Sequence, residues 1–219
     1  MGIIDLMKEK GLAFALGCGI LVPFLYFGTQ LLAAPFFPNY SFLSMPASLL
    51  GSDLARSPAI FNLGAMITGI ATIIASIGFF LALQQLGTNR FLTWLTSITL
   101  FLNGIGSLWA GYFSMPDPRH GANPFTVGIF LFPIVLTFAL WKRSQAGFMK
   151  SYLIITNILF IAFVPIMSGV SGIAIQGYQG LLQRIVALIF FLPISIGAYF
   201  LMKHTKYVTF SDVMKRDVR

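Results

Sequence analysis

The sequence predicts an all-α integral membrane protein, a bundle of six transmembrane helices with both termini in the cytoplasm. Of its 219 residues, 57% are hydrophobic and 9% are charged, whereas a soluble domain carries about 25% charged residues. Six runs of at least 18 residues lack Asp, Glu, Lys and Arg, and about 20 apolar residues of helix cross the hydrocarbon core. The basic residues are also unequally divided between the two sides that six spans define.

The charge-free runs locate the spans in order. We expect helices at residues 12–34, 59–85, 91–113, 124–142, 151–170 and 181–202. Lipid-exposed strands would leave backbone groups unpaired, and no alternating pattern indicates a barrel, so helices are expected. Four of these helices contain a proline, namely Pro23, Pro133, Pro165 and Pro193.

The first run, residues 11–52, is long enough for two spans, but its second half argues for a loop. The stretch PFFPNYSFLSMPASLLGS contains three prolines and four serines, and proline ends helices because it lacks a backbone donor. We therefore expect an extracytoplasmic loop at about residues 35–58, with room for a short interfacial helix.

The basic residues give the orientation. Six spans with the N-terminus inside leave three of the 14 basic residues outside, namely Arg56, Arg119 and Arg184. The other eleven fall inside, as the positive-inside rule requires. The net charge of +8 thus indicates contact with anionic lipid headgroups rather than with nucleic acid. We expect one membrane domain over residues 1–219, ending in a basic cytoplasmic tail at 203–219.

Polar residues suited to a site concentrate in the outer loops. The candidate extracytoplasmic cluster is Asp53, Asn62, Asp117, His120 and Arg184. Arg184 is expected to pair with Asp117, with Asp53 or with a lipid phosphate. No paired histidines at helical spacing occur, so we expect neither a metal nor another cofactor.

A second set of polar residues lies within a helix. Thr99, Asn103 and Ser107 recur every four residues, which puts them on one face of the third helix. Small and polar residues on one face are typical of helix–helix contacts in membranes, so we interpret this set as a packing face, and the alternative interpretation is one wall of a polar cavity.

Three segments resemble a known membrane family. They are NYSFLSMPASLLGSDLARSPAIFNLG, GYFSMPDPRHGANPF and GLLQRI, in this order. Together they resemble the bacterial and archaeal family called domain of unknown function 998, although Met45-Pro46, Met115-Pro116 and Leu192-Pro193 depart from its pattern. The matching positions are Tyr40, Ser41, Ser44, Gly51, Pro58, Phe61, Asn62, Gly64, Gly111, Asp117, His120 and Arg184. The resemblance implies six helices in a cell membrane and supplies no chemistry.

Three functions are compatible with these residues. The favoured hypothesis is binding of a lipid or hydrophobic molecule, of a membrane-protein partner or of a second copy of the chain, through the outer face. The first alternative is an intramembrane or interfacial hydrolase that uses Asp117 and His120. The second is a small transporter with a polar path past Asn103 and Asn157.

Overall fold

The computed structural model of the chain describes residues 3–167, 170–173 and 175–205, which contain helices and turns but no strand. The long helices are α1 (Ile3–Ala33), α2 (Pro58–Gln85), α3 (Arg90–Tyr112), α4 (Val127–Leu140), α5 (Gly147–Met167) and α6 (Gln179–His204). Within the described ranges, six helical segments are long and apolar enough to cross a membrane. The predicted six-helix membrane fold is confirmed, and its orientation stays a prediction.

Two helices differ from their predicted bounds. Helix α1 begins at Ile3 rather than at residue 12, because a helix can continue beyond the hydrocarbon core, where charged side chains reach water. Helix α4 has 14 residues and therefore rises about 21 Å, less than the core thickness of about 30 Å. The turns Pro118–Gly121 and Pro124–Thr126 precede it and complete the crossing. Residues 168–169 of the predicted fifth helix and residues 206–219 of the predicted tail lie outside the described residues.

The helices pack around α2. Helix α2 contacts α1 on one side and α3 on the other, α3 continues to α4, and α1 contacts α6. The core joins four helices through Phe79, whose ring lies edge-on to that of Phe132 with 5.4 Å between the centroids. Leu16, Leu136 and Ile194 surround this pair and are fully buried.

Glycines allow α2 and α3 to approach closely. A Cβ atom on Gly69 would lie 2.7 Å from the Gly104 carbonyl oxygen, and one on Gly104 would lie 2.8 Å from the Gly69 oxygen. Membrane helices associate through such small residues because lipid provides no hydrophobic drive between them.

The two ends of the bundle differ. One end, here called the loop-rich end, carries the connections at residues 34–57 and 113–126 and the described part of the one between α5 and α6, residues 170–173 and 175–178. The other, the basic end, carries the short connections at 86–89 and 141–146. Glu9 and Leu12 of α1 line a cleft there together with Met202 of α6, so the start of α1 and the end of α6 are neighbours.

Candidate functional site

A cavity of about 150 Å³ opens at the loop-rich end. We call it the loop-end cavity. Helices α3 and α6 both pack against other members of the bundle and hardly contact each other, which leaves space between them. The cavity is lined by Tyr26, Ser48, Phe61, Ala65, Thr68, Ser107, Ala110, His120, Gln183 and Phe191.

The lining is aromatic and polar without a carboxylate, lysine or arginine. The Thr68 hydroxyl donates to the Gly64 carbonyl oxygen (2.8 Å) within its own helix. The hydroxyls of Tyr26, Ser48 and Ser107 have no hydrogen-bond partner among the described residues. These three groups are therefore free to bind a polar atom that enters the cavity.

Arg184 fastens the first loop over this end of α6. Its Nη1 donates to the carbonyl oxygens of Phe42 (2.8 Å), Met45 (3.2 Å) and Gly180 (2.8 Å). Its Nη2 donates to the Tyr40 hydroxyl (2.6 Å). We call these residues the Arg184 clamp. Arg184 therefore binds neutral oxygen acceptors rather than the expected carboxylate of Asp117 or Asp53.

Tyr40 links Arg184 to the backbone of the first loop. Its hydroxyl accepts from Arg184 and lies 3.1 Å from the Pro46 carbonyl oxygen, to which it can donate. Burial raises the pKa of Tyr40, and the hydrogen bond from Arg184 opposes that rise. The phenol therefore stays neutral at physiological pH and keeps its proton for the loop carbonyl.

Backbone contacts join the same loop to the start of α6. The Leu181 amide donates to the Leu43 carbonyl oxygen (2.9 Å), and Gln183 Oε1 accepts from the Ala47 amide (2.6 Å). A Cβ atom on Gly180 would lie 2.4 Å from the Met45 oxygen, so this approach requires glycine. Gln183 of α6 and Ser48 of this loop both line the cavity, so the contact between the loop and α6 forms part of the cavity wall.

Asn62 holds the far end of the loop. Its Nδ2 donates to the Gly51 carbonyl oxygen (3.0 Å). A Cβ atom on Gly51 would lie 2.0 Å from Asn62 Oδ1, so the two residues fit only with glycine at that position. Asn62 and Arg184 thus attach the same loop to α2 and α6.

His120 lies under the end of α3 and faces the cavity. Its Nδ1 is 2.8 Å from the Phe113 carbonyl oxygen and 3.2 Å from that of Ala110. Carbonyl oxygens only accept hydrogen bonds, so Nδ1 carries a proton and Nε2 is the remaining ring nitrogen.

The Asp117 side chain forms its hydrogen bonds within its own turn. Its carboxylate accepts from the Arg119 amide (2.9 Å) and forms an ion pair with the Arg119 guanidinium (2.6 Å). These hydrogen bonds lower the pKa of Asp117. In the described part of the chain, no hydrogen bond joins the side chains of Asp117 and His120.

The remaining candidates lie apart. Asp53 is exposed, and its side chain forms no hydrogen bond or ion pair within the described residues. Thr99 and Asn103 are buried where α3 meets α4. A Cβ atom on Gly128 would lie 2.4 Å from the Thr99 carbonyl oxygen and 2.5 Å from the Asn103 backbone nitrogen. Ser107, one turn further, lines the loop-end cavity instead.

The sequence interpretation did not include Tyr26 or Gln183 among the candidates. Gln183 precedes Arg184 in the segment GLLQRI, so its place beside a candidate residue was a usable signal. Tyr26 stands within an apolar run, and a lone tyrosine there is ordinary in membrane helices. Its role depends on which helix faces it.

No curated protein and no solved structure matches the chain. The model of the family described as "Protein of unknown function (DUF998)" matches residues 20–199, a stretch that contains the Arg184 clamp and the whole lining of the cavity. The resemblance found in the sequence is therefore confirmed, and the chain belongs to this family of membrane proteins of unknown function.

Proposed function

We propose that the protein binds an uncharged amphiphile of the membrane and that the loop-end cavity receives its hydroxyl or carbonyl end. The observation that carries this proposal is that the hydroxyls of Tyr26, Ser48 and Ser107 have no partner among the described residues and share a cavity whose lining holds no lysine, arginine or carboxylate. A charged headgroup buried there would find no lysine, arginine or carboxylate in the lining to pair with, whereas a neutral polar end finds hydrogen-bond partners.

The size and depth of the cavity support a polar end rather than a whole lipid. A cavity of about 150 Å³ accommodates a group about as large as benzene. Thr68 lies ten residues beyond Pro58, the first residue of α2, and is therefore about 15 Å along that helix. The cavity thus occupies one half of the bundle, within reach of a ligand whose chain stays in the bilayer.

The same contacts give the hydrolase hypothesis little support. Asp117, the proposed partner of His120, is engaged by Arg119, and backbone carbonyls hold His120 Nδ1. A triad requires a carboxylate or an equivalent group to orient the histidine and to stabilise its positive charge.

The transporter hypothesis also lacks a continuous polar path. The Asn103 backbone lies beside Gly128, and Asn157 Nδ2 donates to Thr137 Oγ1 (3.1 Å). Gly128 and Thr137 are about 14 Å apart along α4. Phe132 and Leu136 lie between these levels and are fully buried.

The test is lipid recovery from the full-length protein purified in a native membrane disc. Mass spectrometry of the extracted lipids is expected to show an uncharged amphiphile enriched over the surrounding membrane. Ser107→Leu fills the cavity and should abolish the enrichment. Ser151→Leu, at an exposed position of α5, is the matched control and should retain it. Equal lipid profiles in both variants and in the wild type would refute the proposal.

A further inference from the structure

A second cavity lies at the basic end, about 390 Å³ in volume, between the α2–α3 connection and the end of α4. We call it the basic pocket. Its polar rim is formed by Gly87, Asn89, Lys142 and Arg143, and its apolar wall by Leu92 and Phe138. It shares no residue with the loop-end cavity, so nothing said of it depends on the function proposed above.

The fold holds one cation of this rim in place. Arg143 Nη2 donates to the Gly87 carbonyl oxygen, and Gly87 has a φ of +68°, a conformation that favours glycine. Arg143 Nε is buried without a hydrogen-bond partner among the described residues. The guanidinium is therefore positioned by the neighbouring connection and retains unused donors.

The two segments that form the rim carry basic residues and no acidic residue. Residues 86–90 and 141–150 contain Arg90, Lys142, Arg143 and Lys150, and none of the chain's six acidic residues. Lys150 Nζ donates to the Trp141 carbonyl oxygen (3.3 Å). Lys142 is exposed, and its side chain forms no hydrogen bond or ion pair within the described residues. The Lys142 ammonium and the Arg143 guanidinium on the rim are thus available to bind an anion.

The wall faces the bilayer. Phe138 is 58% exposed and Trp141 is 55% exposed, as suits side chains that meet lipid at the end of a span. A cationic rim above an apolar wall matches a phospholipid, with its phosphate on the rim and its chains along the wall.

We propose that the basic pocket binds the phosphate of an anionic phospholipid from the bilayer leaflet at this end. Arg143 gives directed hydrogen bonds from a fixed guanidinium, Lys142 adds an exposed charge, and Asn89 supplies an amide beside them. The bilayer is the source of the ligand because the wall is apolar and open to lipid.

The experiment titrates phosphatidylglycerol into the full-length protein in detergent and counts bound lipids by native mass spectrometry. Lys142→Gln combined with Arg143→Gln should weaken binding about tenfold or more. The control, Lys10→Gln combined with Lys203→Gln, removes the same charge from the same end and should change affinity less than about twofold. Equal losses in both pairs would overturn the proposal, because general attraction would then explain binding.

Two further arms separate the alternatives. Phosphatidylcholine with the same chains should bind more weakly than phosphatidylglycerol, and inorganic phosphate should not displace the lipid. Displacement by inorganic phosphate would contradict a lipid site. Lys142→Gln alone covers the case in which loss of the Arg143–Gly87 contact unfolds the chain. It should still weaken binding by severalfold, and an unchanged affinity in this folded variant would overturn the proposal.

Discussion

At the scale of single residues, Arg184 shows how a cation near the end of a span finds partners without an acid. The first loop turns through Pro35, Pro38 and Pro46 and leaves carbonyl oxygens that no helix satisfies. The five N–H groups of a guanidinium can bind several of them at once. The sequence predicted a carboxylate partner instead. Every residue has a backbone carbonyl, so the type of residue does not indicate which carbonyl will accept a hydrogen bond.

Replacing Arg184 should loosen the loop-rich end. Arg184→Gln removes most of four hydrogen bonds, and we expect a loss of about 2–3 kcal/mol, or about 5–10 °C in Tm. The measurement is a thermal scan in detergent with a thiol-reactive dye, which reports exposure of Cys18, the one cysteine of the chain.

The control for that scan is Arg119→Gln at the same end. The Arg119 side chain is 60% exposed, and exposed ion pairs contribute about 1 kcal/mol or less. A larger fall in Tm for Arg119→Gln than for Arg184→Gln would contradict the assigned role of the clamp.

The Asp117–Arg119 pair predicts a transition in acid. Because Arg119 lowers the pKa of folded Asp117, the pair stabilises the loop fully above about pH 4, the pKa of an unfolded aspartate. That stabilisation is lost as the pH falls through the lower pKa of the folded chain. The indole of Trp109 donates to the Arg119 carbonyl oxygen (2.8 Å), so fluorescence of Trp109 should report the change.

The fluorescence is measured in a chain with Trp94→Phe and Trp141→Phe, so that Trp109 is the single indole. Asp117→Asn should remove the acid transition. A transition that persists in this variant would mean that another group controls the loop.

At the scale of helices, hydropathy could predict where α2 and α3 run because each is bounded by charge or by turn residues. Hydropathy could not predict the start of α1 beyond the membrane or the turns before α4, since it records only transfer into lipid. Part of the site could be predicted from the sequence, because Asn62, His120 and Arg184 stand in recognisable segments. Tyr26 and Ser107 gain their roles from the gap between α3 and α6, which is a tertiary property.

The contact of α2 with α3 makes a prediction about glycine. Gly69→Ala would force a methyl group to 2.7 Å from the Gly104 oxygen, and such overpacking costs about 1–3 kcal/mol. Gly28→Ala in α1 meets nothing within 4 Å and should be neutral or slightly stabilising. The thiol-dye scan compares the two, and equal Tm values would argue against the close approach.

At the scale of the whole molecule, the two ends have different chemistry. The loop-rich end offers a neutral cavity under a fastened loop, and the basic end offers cations beside an apolar wall. The sequence predicts that the basic end faces the cytoplasm. In a chain with Cys18→Ser, Ser57→Cys should react with an impermeant maleimide on intact cells, and Ser144→Cys only after permeabilisation. The reverse pattern would invert the predicted topology.

The loop-end cavity as a site for an uncharged amphiphile is tested most directly by photo-crosslinking. The full-length protein in nanodiscs is irradiated with a diazirine-bearing long-chain alcohol, and the labelled peptides are sequenced. We predict adducts around Tyr26 and Ser107, reduced about two- to tenfold by Tyr26→Phe, which removes one hydrogen-bonding hydroxyl. Tyr199→Phe, at a tyrosine that is 50% exposed, should leave them unchanged. Adducts confined to the lipid-facing surface, or an equal response to both substitutions, would contradict the site.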